Sequence, residues 1–311
     1  MSLRNPRTPP PPVAPGRTPP GAPGNPRRSG AADPFRRPPL PIRIAVHLAV
    51  YAVAATMLAP FLWMLLSSLT AQAQAPKETL RALVHDGPRW SNYAEAWNGA
   101  ELDRFYLVSA LVAVITTLLA VAYNALGGYA FAKLRFRGRA ALFALTLATM
   151  MLPAQVFFVF AYVICDWLNY LDSIPGLVVP FLASGFGIFY MRQAISGVPD
   201  ELLEAGRIDG MTELDLFWLI VRPVVWPAIT ALAIFTFMNS WNSFFWPLIV
   251  VDSLDMKTLP LAIADLSSNA YFSNPPVTMA AAAILILPLI LVFFLAQKAF
   301  VRGVAMTGLK E

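Results

Sequence analysis

A dense run of charged and turn-forming side chains lies between Ser196 and Pro223. Its two most distinctive pieces read EAGRIDG at 204–210 and IVRP at 220–223. Acids, an arginine and a glycine turn in this order suit the recognition of another protein by charge and shape. Because this polar segment interrupts a chain that is otherwise almost entirely apolar, we interpret it as a docking element.

The residue types needed for metal binding or covalent catalysis do not form a site in this sequence. The only cysteine, Cys165, excludes a disulfide or a cysteine-based metal site within the chain. The two histidines, His47 and His85, have no helical spacing to each other or to a carboxylate pair. No histidine or aspartate is placed to activate a serine inside the apolar segments. We therefore expect no catalysis, no metal and no cofactor.

Local signals in the 196–223 segment predict two helices joined by a tight turn. Pro199 suits a helix start because its missing N–H is not needed in the first turn. Gly210 signals the turn, since glycine adopts a positive φ without strain. Thr212 is placed to cap the second helix, and Asp215 three residues later can complete a capping box. An amphipathic hairpin lying on lipid is the alternative, although its six acids would be repelled by an anionic leaflet.

The composition identifies a membrane protein. Of the 311 residues, 57% are hydrophobic and 13% are charged, and the mean hydropathy is +0.59. A soluble domain carries about 25% charged residues. We therefore predict an all-α membrane protein with six transmembrane helices, some of them bent by prolines in or near the spans. Each span has the length of about 20 residues that a bilayer requires, and their ranges are 43–68, 106–130, 140–165, 174–195, 224–251 and 278–300.

The distribution of basic residues predicts the orientation of these spans. The N-terminal segment, the segments after the second and fourth spans, and the C-terminus together hold 18 of the 23 lysines and arginines. The three opposite segments hold the other five. The positive-inside rule therefore gives a multi-pass protein of the cytoplasmic membrane with both termini cytoplasmic. The same rule places the 196–223 hairpin in the cytoplasm.

Residues 1–41 differ in composition from the rest of the chain. They hold 14 of the 28 prolines, seven arginines and few large apolar side chains. Such a segment cannot bury enough surface to offset its ordering entropy, so we expect a disordered, Pro/Arg-rich cytoplasmic arm. Its role as a solvated source of positive charge, or as an arm that binds lipid or a partner, stays open.

Polar side chains within the apolar spans are candidates for lining a solute path. They are Asn124 in the second span, Gln155 in the third, and Asn239, Ser240 and Asn242 in the fifth. Four aromatic residues stand among positions 241–246, and aromatic faces suit sugar rings. Hydrogen bonding between helices uses the same residue types, so that alternative stays open.

The 196–223 segment resembles the EAA signature of the inner-membrane permease subunits of binding-protein-dependent ABC importers. That signature reads Glu-Ala-Ala, then a glycine four positions later, then nine residues and Ile-x-Leu-Pro. The chain has Gly206 where alanine is usual, which predicts a less rigid first helix, and Arg222 where leucine is usual. Five residues stand at matching positions: Glu204, Ala205, Gly210, Ile220 and Pro223.

Shorter stretches after residue 42 are similar to the carbohydrate (maltose-type, MalG-like) subfamily, with which glycerol-phosphate importers are grouped. The resemblance implies a permease domain at 42–311, with its coupling loop at 196–223 and a C-terminal cytoplasmic tail at 301–311. The stretches include PFLWM at 60–64, YAFA at 129–132, MLP at 151–153, RIDG at 207–210 and FVRG at 300–303.

The resemblance also implies the function. A non-catalytic permease subunit would translocate a sugar or sugar-like solute by alternating access. Its partners would be a pair of ABC ATPases, a second homologous permease, an extracytoplasmic solute-binding protein and the lipid bilayer, with no nucleic acid. ATP hydrolysis would fall to the ATPases, in agreement with the lack of a G-x-x-x-x-G-K-[ST] phosphate loop in the sequence. Coupling roles carry over to eight residues: Glu204, Ala205, Gly206, Arg207, Asp209, Gly210, Ile220 and Pro223.

Two other classes of protein stay open on the residues alone. A stand-alone secondary transporter would require ion-coupling carboxylates within the spans, and the sequence has none there. A membrane scaffold could bind a cytoplasmic partner through the hairpin without transporting a solute. The polar residues of the second, third and fifth spans argue against the scaffold.

Overall fold

The computed structural model describes residues 39–71, 76–99, 101–268 and 274–307. Regular structure in these ranges is helical throughout, without a strand, which confirms the all-α prediction. The α-helices are α1 (Leu40–Ser68), α2 (Pro76–Asp86), α3 (Ser91–Ala94), α4 (Leu102–Lys133), α5 (Arg139–Thr149), α6 (Ala154–Trp167), α7 (Ile174–Val178), α8 (Gly185–Ser196), α9 (Asp200–Ile208), α10 (Glu213–Asp215), α11 (Arg222–Val224), α12 (Trp226–Trp241), α13 (Phe245–Val250), α14 (Leu259–Ser268) and α15 (Pro275–Thr307).

Short irregular turns complete several of these helices. Two 3₁₀ turns lie at Val179–Phe181 and Leu254–Met256. Two π-helical turns lie at Glu95–Gly99 and Leu216–Val221, and the second joins α10 to α11. Residues 213–224 therefore form one helical segment with a wide turn at its centre.

The described residues contain between three and six candidate membrane spans. Three helices are long and apolar enough individually, namely α1, α4 and the Pro275–Phe294 part of α15. Three bent pairs satisfy the same criteria together: α5 with α6, α7 with α8, and the 213–224 segment with α12. The bends are 106°, 48° and 85°, respectively.

The third, fourth and fifth predicted spans are consequently interrupted rather than continuous. The third breaks before Pro153, whose ring removes an N–H and disfavours a helical residue ahead of it. The fourth breaks at Ser184, which has extended backbone and caps α8. The fifth begins at Trp226 instead of 224, because Pro223 and Pro227 remove N–H donors on both sides of the bend. It is interrupted between Trp241, where α12 ends, and Phe245, where α13 begins.

The chain divides into two units, Met1–Ala55 and Thr56–Glu311. The described part of the first unit is the start of α1, so the predicted arm lies outside the described residues except at its end. The second unit holds the hairpin and the remaining helices. Its last helix continues to Thr307, so the predicted tail at 301–311 begins as helix, because one glycine does not terminate a helix. Residues 308–311 lie outside the described residues.

Buried side chains of the second unit form three apolar clusters. One cluster lies beneath the hairpin and joins it to α4 and α8. Another surrounds Trp241, whose indole N–H donates to the Leu285 carbonyl at 3.0 Å. The third surrounds Trp246, whose indole N–H donates to the Gly176 carbonyl at 3.0 Å. These two bonds tie the ends of α12 and α13 to neighbouring segments.

Candidate coupling hairpin and membrane cavity

The 196–223 segment is a hairpin of two helical segments, as its sequence predicts. Gly210 has φ +83°, which confirms the predicted positive φ at the turn. Thr212 accepts from the Asp215 N–H at 3.3 Å, and the Asp215 carboxylate accepts from the Thr212 N–H at 3.0 Å. The capping box is therefore present, and it begins the second helix immediately after the turn.

The apolar side of the hairpin is packed against the membrane helices. Leu203 and Leu216 are fully buried, and they belong to the same cluster as Met191 of α8. Gly206 is buried between the two helical segments, where an added Cβ would lie 2.5 Å from Leu216 Cδ2. The glycine at this position therefore permits a closer approach of the two helices than alanine would.

A polar contact joins the second helical segment of the hairpin to α4. Tyr129 donates its hydroxyl to Glu213 Oε2 at 2.5 Å. Arg207 donates through Nε to the other oxygen of Glu213 at 2.9 Å. The bond from Arg207, with a further contribution from Tyr129, lowers the pKa of Glu213 despite its partial burial. Glu213 thus links both helices of the hairpin to the end of a membrane helix.

A second contact from α4 holds the beginning of the hairpin. Lys133 donates to Asp200 Oδ1 at 2.6 Å and to the Val198 carbonyl at 2.6 Å. The hydrogen bond from Lys133 lowers the pKa of Asp200. Lys133 lies one helical turn after Tyr129, so both contacts come from one face of the last turns of α4. We call these two contacts the α4 anchors.

The carboxylates of both anchors, those of Glu213 and Asp200, are ionised at neutral pH. Folding lowers the pKa of Glu213 and of Asp200, so their contribution to stability is complete above the unfolded-state pKa values. That contribution is lost only as the pH falls through the lower folded-state values, below the ordinary carboxyl range of about 4. We therefore expect no physiological pH switch in the attachment of the hairpin.

The opposite side of the first hairpin helix is exposed. Glu204, Ala205 and Asp209 are exposed, and Glu204 makes no hydrogen bond or ion pair within the described residues. Ile208 is 85% exposed and Leu214, on the second segment, is 62% exposed. An exposed acid beside exposed aliphatic side chains has the composition of a protein-binding surface.

The remaining predicted coupling residues have different surroundings. Ile220 is half-buried against Gly206, and Pro223 is exposed near the end of the second segment. Arg222, which replaces the usual leucine, has its guanidinium 5.1 Å from the ring centroids of both Trp218 and Trp226. Such cation–π contacts stabilise the position of the Arg222 guanidinium, which makes no ion pair within the part of the chain that the structure describes.

The α4 anchors were not predicted from the sequence, and they are open to a direct test. A hydrogen bond to a charged group, such as the one from Tyr129 to the partly buried Glu213, contributes about 1.5–3 kcal/mol, less where solvent screens it. We expect Tyr129→Phe and Lys133→Met each to reduce solute uptake about three- to tenfold. The protein should still insert in the membrane, because the apolar packing of the hairpin is intact.

Tyr123→Phe is the matched control for the anchor at Tyr129. Tyr123 lies on the same helix, is 62% exposed and makes no hydrogen bond within the described residues. Uptake by the control should equal that of the wild type. Wild-type uptake by both anchor variants would show that these bonds do not position the hairpin.

A cavity of about 370 Å³ lies among α4, α6, α8 and α12. Three of the predicted path residues, Asn124, Asn239 and Ser240, line it. Gln155 and Asn242 are exposed and do not line it, and Asn242 donates to the Met238 carbonyl of its own helix at 2.8 Å. The structure thus brings residues of the second and fifth spans together.

Asn124 is occupied by hydrogen bonds between helices. Its amide nitrogen donates to the carbonyls of Ala120 and Leu182, at 2.6 and 3.2 Å. Its oxygen accepts from the Ser184 N–H at 3.0 Å. The alternative role, hydrogen bonding between helices, therefore accounts for the bonds of Asn124. Its side chain ties α4 to the break in the fourth span.

Comparison with known proteins identifies the class of protein. Residues 124–306 match the family described as "Binding-protein-dependent transport system inner membrane component". The chain belongs to this family, and the match covers the hairpin, most of α15 and the cavity lining from Asn124 onward.

Curated relatives extend the match over most of the chain. The arabinooligosaccharides transport system permease protein AraQ of Bacillus subtilis (strain 168) is 33% identical, over 86% of this chain and 96% of AraQ. The lactose transport system permease protein LacG of Rhizobium radiobacter is 31% identical, over 83% of this chain and 93% of LacG. The sn-glycerol-3-phosphate transport system permease protein UgpE of Yersinia enterocolitica is 35% identical, over 70% of this chain and 80% of UgpE.

A solved structure has the same fold. A chain of a bacterial ABC transporter involved in the import of alginate matches with a TM-score of 0.68 and 22% identity, over 84% of this chain and 96% of that one. An identity of 22% supports a common fold and does not identify the solute of this chain.

Proposed function

We propose that this chain is the permease subunit of an ATP-driven ABC importer for a sugar or sugar-like solute. The support is the family membership together with relatives that are named as permease proteins for arabinooligosaccharides, lactose and sn-glycerol-3-phosphate. The subunit moves the solute by alternating access and does not itself hydrolyse ATP.

The proposal includes six membrane spans with both termini in the cytoplasm. The count of six treats α5 with α6 and α7 with α8 as one span each, and takes α12 as the membrane-crossing part of the third bent pair, whose 213–224 segment stays with the hairpin. The excess of basic residues in the segments assigned to the cytoplasm supports this orientation. The hairpin and the end of α15 then face the cytoplasm, and α2 faces the opposite side.

The observation that carries the proposal is the construction of the hairpin. Its exposed side presents Glu204 and Ile208, and its other side is tied to α4 through Tyr129 and Lys133. A rigid exposed element fastened to a membrane helix transmits force in both directions. We assign the exposed side to one of two ABC ATPases, whose closure moves α4 and α12.

The cavity is assigned to the translocation path. It is open between the second, third, fourth and fifth spans, and its lining combines hydroxyl and amide groups with aromatic rings. A second, homologous permease completes the path, and an extracytoplasmic solute-binding protein delivers the solute to it.

Affinity purification from native membranes in mild detergent tests the proposal. The tagged chain should copurify with an ABC ATPase and a second permease, identified by mass spectrometry. A homo-oligomer without an ATPase, from membranes where the complex is intact, would contradict it.

A further inference from the structure

The described lining of the cavity lacks ionisable side chains. No aspartate, glutamate, lysine, arginine or histidine is among the described residues that line it. Its polar groups are instead hydroxyls and amides, among them those of Thr116, Asn239 and Thr258. The volume of about 370 Å³ is within the range of small-molecule pockets.

Two of these hydroxyls are buried without a partner. Thr116 is 2% exposed and Thr258 is 4% exposed, and the Oγ1 atom of each has no hydrogen-bond partner within the described residues. Only one other buried side-chain oxygen there, on Ser67, has the same property, and Ser67 does not line the cavity. A buried hydroxyl without a partner is destabilising, so two in the lining of one cavity require an explanation.

Neighbouring threonines show that the missing bond is not a general property of these helices. Thr117 donates to the Ala113 carbonyl at 2.6 Å, and Thr230 donates to the Trp226 carbonyl at 3.0 Å. Both use the carbonyl four residues earlier, the ordinary solution for a threonine in a helix. Thr116 does not use it, so its hydroxyl remains available to a group in the cavity.

Aromatic rings form an apolar wall of the same cavity. The ring centroid of Trp246 lies 5.6 Å from that of Phe158 and 5.7 Å from that of Phe181. The indole N–H of Trp246 is already bonded to a backbone carbonyl. A cavity lined by both aromatic rings and unpartnered hydroxyls matches a solute that has both C–H faces and hydroxyl groups.

The same lining is unsuited to a phosphate or a carboxylate. A buried charge requires an opposite charge or several hydrogen-bond donors. The beginning of α8 is the natural place for an anion, but the Ser184 N–H already donates to Asn124 and the Gly187 N–H donates to Ser184 Oγ at 2.9 Å.

We propose that this cavity is a solute-binding subsite for an uncharged, polyhydroxylated solute, with the hydroxyls of Thr116 and Thr258 completing their hydrogen bonds on it. The subsite belongs to this subunit itself, independently of any solute contact in the second permease. It accepts a neutral saccharide and rejects a phosphorylated one such as sn-glycerol 3-phosphate. This inference rests on the proposed transport function and specifies its solute class.

The first test is uptake by the wild-type complex in its native cells. Radiolabelled lactose, arabinotriose and other neutral oligosaccharides are compared with sn-glycerol 3-phosphate, with a deletion of this chain as background. We expect uptake of a neutral saccharide that depends on this chain. Uptake of sn-glycerol 3-phosphate alone would overturn the inference and leave the transport function standing.

The second test measures binding with the valine substitutions Thr116→Val and Thr258→Val combined. The purified complex of permeases and ATPases, without binding protein, is dialysed against the neutral saccharide that it imports. We expect the double variant to bind about tenfold more weakly, the effect of about 1.4 kcal/mol. Thr117→Val is the control, because it removes a hydroxyl that bonds within its own helix and does not line the cavity.

A cysteine-protection experiment assigns the bound saccharide to this subunit. Cys165 is buried, so the background reaction of this chain with a methanethiosulfonate reagent is low. The saccharide should slow the labelling of Asn239→Cys, which lines the cavity, and leave that of Asn242→Cys unchanged. The label is read on this chain by mass spectrometry, so cysteines of the other subunits do not interfere.

The results of these experiments distinguish a failure of the proposed subsite from a failure of the proposed transport function. Undiminished binding by the double valine variant, or equal labelling of Asn239→Cys with and without saccharide, would refute the subsite in a complex that still transports. A chain that neither copurifies with an ATPase nor supports uptake of any solute would refute the transport function, and the subsite with it.

Discussion

Replacing Glu204 with lysine is expected to leave the protein in the membrane and to separate it from its ATPases. Glu204 is exposed and makes no hydrogen bond or ion pair within the described residues, so the change leaves the buried packing intact, although it replaces an attraction to Arg207 with a repulsion. Lysine is also a good helix former. At a protein interface an unpaired or repelled charge costs about 2–5 kcal/mol, so copurification of the ATPase and uptake should both fall at least about tenfold.

Glu78→Lys supplies the matched control for this charge reversal. Glu78 is an exposed acid in the first turn of α2, on the side of the membrane that we assign opposite to the hairpin. Its reversal should leave ATPase copurification unchanged. Normal uptake by Glu204→Lys, at normal abundance in the membrane, would count against docking through the exposed side of the hairpin.

Gly128→Ala is expected to lower the thermal stability of the purified protein by several degrees. Alanine normally stabilises a helix by about 1 kcal/mol relative to glycine. At Gly128, however, a Cβ would lie 2.6 Å from Met191 Cβ and 2.8 Å from the Arg192 backbone nitrogen. Since backbone cannot move aside as a side chain can, α4 and α8 must separate, at a cost of about 1–3 kcal/mol.

The adjacent Gly127 provides a control within the same turn of α4. A Cβ there would lie 3.3 Å from Ile188 Cγ1, a side-chain atom that can adjust. Gly127→Ala should therefore unfold at the wild-type temperature or above it, measured by loss of the monodisperse peak on size exclusion after heating. Equal melting of the two variants would show that the α4–α8 contact is looser than its geometry indicates.

The hairpin is the region where sequence reasoning and structure agree in most detail. The positive φ of Gly210 and the capping box between Thr212 and Asp215 are set by residues close in sequence. Such local preferences act before any tertiary contact forms, so their residue types are sufficient to predict them. The roles of these residues in docking an ATPase stay a prediction.

The residues that line the solute path are predicted less accurately from the sequence. Asn239 and Ser240 line the cavity, whereas Gln155 and Asn242 stand outside it. Polarity within an apolar span marks a residue as unusual, but it does not tell which way that residue faces when the helix is broken or bent. Thr116 and Thr258 carried no sequence signal, because threonine is common on buried helix surfaces.

The sequence by itself determined that this chain is helical, apolar enough for a membrane, and equipped with a polar hairpin that has its own turn and cap. Only the tertiary structure decided which membrane helix holds that hairpin. Tyr129 is 84 residues from Glu213, and Lys133 is 67 residues from Asp200. It also decided that two hydroxyls of one cavity remain without partners. Turns and caps depend on neighbours in sequence, whereas anchors and cavities depend on the packing of distant helices, which no local pattern encodes.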